Sequence, residues 1–212
     1  MLELGIKFWL AYALGGVMGA LVVGRLRGGV DIRQLGSGNA GGTNALRTQG
    51  KLFALAVMVI DVGKGILAVA LIPPLDLPGI GIDAAVPRDL LRFSVAFAAI
   101  LGHVFPLWFD FRGGKGGATA AGLLVFLAPG LGGLIIGLWL AIIFFTGFVG
   151  LATISGSVAA AVYVGLFRLP ADRGLFWFAV ATAVLIAFTH RANISRMRQG
   201  TENRTGRFFG LR

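Results

Sequence analysis

The sequence predicts an all-α integral membrane protein: a seven-transmembrane-helix bundle with its N-terminus outside and its C-terminus in the cytoplasm. Three observations carry this. Hydrophobic residues make up 57% of the chain and charged ones 13%, against roughly 45–50% and about 25% in soluble domains, and mean hydropathy is +0.86. The apolar residues form runs near the roughly 20 residues that a membrane-crossing helix needs. The basic residues gather in alternate connecting segments, as the positive-inside rule requires.

The first run covers residues 4–23. It holds Lys7 and lacks a small-residue cleavage site, so it reads as a retained helix rather than a signal peptide. Residues 52–72 form the second span and 90–109 the third, ending at or just past Pro106. The apolar run 118–166 is too long for one helix. Breaks at Pro129-Gly130 and within 146–155 divide it into spans near 118–128, 131–148 and 154–166, the first and last short. A last span covers 175–189. A six-span arrangement results if 118–148 crosses only once.

Loop charge sets the orientation. The first loop carries Arg25, Arg27, Arg33, Arg47 and Lys51 against Asp31, and the tail carries Arg191, Arg196, Arg198, Arg204, Arg207 and Arg212 against Glu202. Both are expected in the cytoplasm. Residues 73–89 hold Asp76, Asp83 and Asp89 against Arg88, which suits the other side. No linker or internal repeat divides the chain, so residues 1–212 read as one membrane-embedded domain.

Composition also excludes chemistries. There is no cysteine, hence no disulfide framework, thiol nucleophile or thiolate metal site. His103 and His190 lie far apart with no carboxylate cluster beside either, so no metal site is expected. The net charge of +10 sits in short loops beside apolar spans, not on a soluble face with interleaved aromatics. Nucleic acid is therefore not an expected partner.

Three polar clusters interrupt the apolar chain, and a seven-span topology puts all of them on the cytoplasmic side. The first is Gly36-Ser37-Gly38-Asn39-Ala40-Gly41-Gly42-Thr43-Asn44 with Arg47. The second is Phe111-Arg112-Gly113-Gly114-Lys115-Gly116-Gly117-Ala118-Thr119, which opens a helix. The third is His190-Arg191-Ala192-Asn193-Ile194-Ser195-Arg196. Each joins glycines or a helix end to cationic and hydrogen-bonding side chains, a combination suited to phosphate. The bland alternatives are a capped turn for the first, a glycine turn with a snorkelling lysine for the second, and a basic tail on anionic lipid headgroups for the third.

The second cluster is not a nucleotide-binding P-loop, since Phe109 stands where its first glycine belongs and Gly116 where Ser or Thr should follow the lysine. His190, Asn193 and Arg196 share a face if the last helix extends that far. Asp61 and Lys64, three apart within the second span, read as a structural pair or as support for a site. His103 precedes the second cluster and reads as a satisfied helix-end histidine or its support. Glu202, the acid of the tail, pairs with an arginine or takes part in chemistry.

These motifs, with Asp61-Val62-Gly63-Lys64-Gly65, Gly102-His103-Val104-Phe105-Pro106, Gly200 and Glu202, resemble the bacterial acyl-phosphate:glycerol-3-phosphate acyltransferases from the first loop to the tail. Gly42, Arg112, Gly117 and Met197 depart from that family's usual alanine, lysine, valine and leucine. The resemblance implies transfer of a fatty acyl group from acyl phosphate to the 1-hydroxyl of glycerol 3-phosphate, giving lysophosphatidate and phosphate without a cofactor. It implies seven spans in the bacterial plasma membrane and an active site facing the cytoplasm. The implied partners, beyond substrates and membrane lipid, are the enzymes that supply acyl phosphate or use lysophosphatidate. Acyl-CoA is not the expected donor: no aspartate stands five residues after either histidine, Trp108 and Ser195 occupying those places.

The resemblance further implies catalytic roles for Ser37, Asn39, His190 and Asn193. Substrate phosphate would fall to Arg47, Arg112, Gly113, Gly114, Lys115, Gly116, Gly117 and Thr119. Gly38, Thr43, Asn44, Asp61, Lys64, His103, Arg196 and Glu202 would support them. The other readings are a transporter or flippase for organic phosphates, which would favour inverted repeats, and a lipid-binding scaffold, which would leave Ser37, Asn39 and Asn193 without specific work.

Overall fold

Glycine decides where the helices approach one another. The computed structural model describes residues 1–205, and among these the regular structure is ten α-helices, two short 3-10 turns and an isolated Leu77–Ile80 bridge. Arg207 and Arg212 of the basic tail lie outside the described residues. Packing divides the chain into two units, Met1–Leu123 and Leu124–Arg212, with the division inside the sixth helix.

The first unit contains α1 (Leu2–Gly15), α2 (Gly19–Leu26), α3 (Gly42–Gln49), α4 (Lys51–Leu71), α5 (Arg88–Val104) and the start of α6 (Gly117–Leu127). Helices α1 and α5 touch backbone to backbone: a Cβ on Gly15 would lie 2.2 Å from Ala99 O, and one on Gly102 2.0 Å from Tyr12 O. Apolar burial gives little drive for association in lipid, so small residues that permit close packing supply it. Gly65 and Gly122 do the same between α4 and α6, against Thr119 and Val62.

The first span is not the continuous helix expected over 4–23. Helices α1 and α2 meet at 42° across a break at 16–18. No proline marks it; polar side chains of α4, described below, make it tolerable by satisfying the interrupted backbone. Lys7 of α1 is paired rather than lone. Glu3, 3% exposed, accepts from Lys7 Nζ at 2.8 Å and from Arg88 at 2.8 and 3.0 Å, while Lys7 also donates to Pro73 O at 2.7 Å. The Met1 amino group meets Asp83, whose backbone N–H donates to Glu3 at 3.0 Å.

The second unit continues α6 and adds α7 (Pro129–Thr146), α8 (Val149–Phe167), α9 (Arg173–Thr189) and α10 (Arg191–Arg198). Pro129 stands at the start of α7, where its missing N–H costs nothing. Gly147, at φ +74°, ends that helix in the left-handed conformation. Helix α8 therefore begins at Val149 rather than near 154, and is a full 19 residues. The last helix bends by 55° at His190 into α10.

The architecture is that of an all-helical integral membrane protein. Among the described residues four helices are long and apolar enough to cross a membrane, and up to six spans result if each bent pair counts as one. Helix α6 has 11 residues, which at 1.5 Å each gives about 16 Å, roughly half the hydrocarbon thickness.

Candidate functional site

The loop between α2 and α3 is organised by one side chain. Asn44, 1% exposed, donates from Nδ2 to the carbonyls of Ile32, Leu35 and Asn39 at 2.9–3.0 Å and accepts from Ser37 N at 2.9 Å. Gly36 has φ +58°, and a Cβ on it would sit 2.4 Å from Asn44 Oδ1, so both conformation and space demand glycine there. The loop so held presents Ser37 at its exposed crest, with Asn39 half-buried beside it. Thr43 and Arg47, a turn apart on α3, are partly exposed. Asn44 itself faces inward and holds the loop from beneath.

Arg33 holds the entry to this loop. Its guanidinium bonds both oxygens of Asp31 at 2.8–3.2 Å and lies 5.6 Å from the Phe109 ring centroid. Those hydrogen bonds hold the Asp31 carboxyl below the usual carboxylate range and raise Arg33 above its own. Through Arg33 and Phe109 the first and second clusters become neighbours.

The second cluster starts with two consecutive left-handed residues, Asp110 (φ +54°) and Phe111 (φ +57°). They reverse the chain so that Gly113 N donates to Val104 O at 3.2 Å and Gly114 N to His103 O at 3.0 Å. These two amides were expected to meet phosphate; they are committed to the end of α5 instead. The anion-binding capacity of the loop therefore rests on exposed Arg112, half-buried Lys115, and the Gly116 (φ +85°) and Gly117 backbone that opens α6. Thr119 also departs from expectation. Its side chain is fully buried and donates to Asp61 O at 2.9 Å, tying α6 to α4 rather than facing a ligand.

Asp61 and Lys64 form an ion pair at 3.0 Å inside α4, and His103 Nδ1 lies 2.8 Å from Lys64 Nζ and 3.4 Å from Asp61 Oδ1. All three are buried. Three of the residues expected to support the site, Asp61, Lys64 and His103, are thus one group.

In the second unit the third cluster sits at the α9–α10 bend. His190 is buried and its Nδ1 lies 2.8 Å from Ile186 O. A carbonyl only accepts, so Nδ1 carries the hydrogen and, in the neutral ring, Nε2 is the accepting nitrogen. The bend at His190 ends the single helical face expected for His190, Asn193 and Arg196. Asn193 donates to Glu202 Oε1 at 2.6 Å and Arg196 Nε to Glu202 Oε2 at 2.6 Å, which makes Glu202 a paired, positioning acid. The strand of tail that brings Glu202 there is anchored by Thr205, whose N and Oγ1 both donate to Gly147 O, at 2.8 and 2.9 Å.

A model of the family described as glycerol-3-phosphate acyltransferase matches residues 6–200. The chain belongs to that family. Glycerol-3-phosphate acyltransferases of Chlorobium phaeovibrioides and Burkholderia cenocepacia are 35% and 40% identical to it, over 96% and 92% of this chain and 97% and 88% of theirs. A crystal structure of PlsY (YgiH), an integral membrane glycerol 3-phosphate acyltransferase, in its glycerol 3-phosphate form superposes with a TM-score of 0.83 at 31% identity and 98% coverage of both chains. The lysophosphatidic acid form of PlsY gives 0.80 at 31% identity, covering 95% of this chain and 94% of that one.

Two features of this glycerol-3-phosphate acyltransferase family member escaped sequence reasoning. Gly150 of α8 makes room for Asn193, whose side-chain atoms would lie 3.0–3.1 Å from a Cβ there; nothing in an apolar helix flags such a glycine. The Glu3–Lys7–Arg88 network had a signal, the (i, i+4) acid and base on one turn of an otherwise apolar helix.

Proposed function

We propose that this acyltransferase moves a fatty acyl group from acyl phosphate to the 1-hydroxyl of glycerol 3-phosphate, giving lysophosphatidate and inorganic phosphate. The observation that carries this reading is the adjacency of the Asn44-stapled loop and the Lys115 loop through Arg33 and Phe109, which gathers cations and hydrogen-bond donors in one unit of a membrane protein. The hydroxyl oxygen attacks the acyl carbonyl carbon, the bond from that carbon to the phosphate oxygen breaks, and phosphate leaves with the electron pair. Phosphate is a good leaving group, so no covalent Ser37 intermediate is needed.

We assign the phosphate of glycerol 3-phosphate to Arg47, Arg112, Lys115 and the Gly116–Gly117 backbone. Ser37 and Asn39 orient the acyl phosphate and the attacking hydroxyl. Asn193, its amide held by Glu202, orients the attacking hydroxyl with them, and His190 receives the proton, Nε2 being the acceptor that the Ile186 contact defines. A substrate phosphate is the competing base. If His190 is the base, His190→Ala lowers kcat by about 10²–10⁴-fold; if a phosphate serves, the loss is much smaller.

The loop charges support seven spans in the bacterial plasma membrane, α6 being the short one, with the N-terminus outside and the three clusters cytoplasmic. The deciding experiment follows phosphate release and lysophosphatidate formation by the purified protein in lipid, with glycerol 3-phosphate and either acyl phosphate or acyl-CoA. Turnover with acyl phosphate alone is the expected result. Turnover with acyl-CoA alone overturns the donor assignment, and binding of glycerol 3-phosphate without any product favours a transporter.

A further inference from the structure

Three buried polar side chains of the first unit have no substrate role above: Asp61, Lys64 and His103, each 3% exposed or less. Lys64 has three ammonium hydrogens and three acceptors, Val17 O at 2.7 Å, His103 Nδ1 at 2.8 Å and Asp61 Oδ1 at 3.0 Å. Asp61 Oδ1 in turn accepts from Gly19 N at 3.2 Å. Val17 and Gly19 flank the break between α1 and α2, where interrupting a helix in an apolar bundle strands a carbonyl and an amide. The cation meets the C-terminal side of one half-helix and the anion the N-terminal side of the other, the signs that their dipoles favour.

An ammonium only donates, so His103 Nδ1 accepts and the hydrogen of the neutral ring sits on Nε2. That Nε2 faces Gly114 so closely that a Cβ there would lie 2.1 Å away. The carbonyl of the same histidine accepts from Gly114 N, and a Cβ on Gly113 would lie 2.1 Å from it. A continuous run of contacts thus connects the helix break, the ion pair, the imidazole and the glycine loop. Asp61 Oδ2 makes no hydrogen bond among the described residues, an exception of the kind that calls for a reason.

We propose that Asp61, Lys64 and His103 are positioning residues that set the height of the 113–117 loop, and through Lys115 the affinity for glycerol 3-phosphate, without touching substrate. The inference rests on the assignment of that loop to the phosphate of glycerol 3-phosphate. Steady-state kinetics of the purified protein in lipid tests both and separates them. His103→Ala raises KM for glycerol 3-phosphate by about tenfold or more while KM for acyl phosphate stays within about twofold, a displacement near 1 Å being enough for such losses. His103→Gln, which keeps an acceptor for Lys64, recovers part of the difference. Gly114→Ala alone also raises KM, but added to His103→Ala it costs less than about threefold, because the ring it would strike is gone.

Independent, multiplying effects of the last two substitutions overturn the proposal. So does a KM unchanged by His103→Ala while Lys115→Ala raises it, a result that leaves the loop assignment standing. A KM unchanged by Lys115→Ala overturns the loop assignment itself. If neither His103 variant folds where Lys115→Ala does, the cluster is architectural only and the proposal fails.

Discussion

Asn193 gives its side-chain amide to Glu202, at 2.6 Å, and so turns its own carbonyl oxygen the other way. An asparagine free to flip would present donor and acceptor at random; one held by a carboxylate presents a fixed end. Glu202→Ala removes that hold and leaves Arg196 without its acceptor. The expected outcome is a loss of about 1.5–3 kcal/mol, the usual worth of hydrogen bonds to a charged group, with a fall in turnover exceeding what unfolding explains. Thermal unfolding and kcat measured on the same preparation check it, and unchanged kcat in folded protein would refute the link to Asn193.

Asn44→Asp tests the staple of the first loop. The change keeps size but replaces the NH2 that serves three carbonyls with an oxygen that repels them. It should destabilise by about 3 kcal/mol or more, since each buried group left unpaired costs roughly 1–3 kcal/mol. Limited proteolysis within 31–41 should accelerate, and activity should fall with it through Ser37.

Gly102→Ala tests the α1–α5 crossing. The added Cβ meets a backbone carbonyl at 2.0 Å, which no rotamer change relieves. A cost at or above the upper end of the usual 1–3 kcal/mol for overpacking is expected. Gly5→Ala on the same α1 meets nothing within 4 Å and should be nearly silent. Thermal unfolding in detergent compares the two, and equal midpoints would contradict the close packing.

Lys64→Met leaves Asp61 as an uncompensated charge inside α4, for which about 3–5 kcal/mol of destabilisation is expected. Removing the acid as well, in Asp61→Leu with Lys64→Met, should recover part of that loss but not all, because Val17 O and Gly19 N still lack partners. Full recovery would mean the pair has no part in the helix break.

Hydropathy and loop charge made the membrane class and most span positions readable, because burial in lipid imposes length and polarity on each helix separately. Pro129 marked the start of α7 for the same local reason. The break between α1 and α2 was hidden, since its cause lies in Asp61 and Lys64, some forty residues away. The polar clusters were visible by composition, yet composition does not say which way a side chain turns. Asn44 and Thr119 face inward, and the amides of Gly113 and Gly114 are taken by α5, because the left-handed pair Asp110 and Phe111 folds the loop back on it. Neither residue type announces that conformation. Asp61 and Lys64 were legible as a costly pair in a membrane and His103 as a helix-end histidine, but only the packing of α4 on α5 makes the three one group.

The cap on the α1–α2 break also constrains how the protein is made. Gly19 and its partner Asp61 are 42 residues apart, which at a synthesis rate of 5–20 residues per second is a delay of about 2–8 s. For that interval the newborn first span carries a break whose Val17 carbonyl and Gly19 amide lack the partners that α4 supplies. The first span is therefore complete as a membrane helix only once the second has been made.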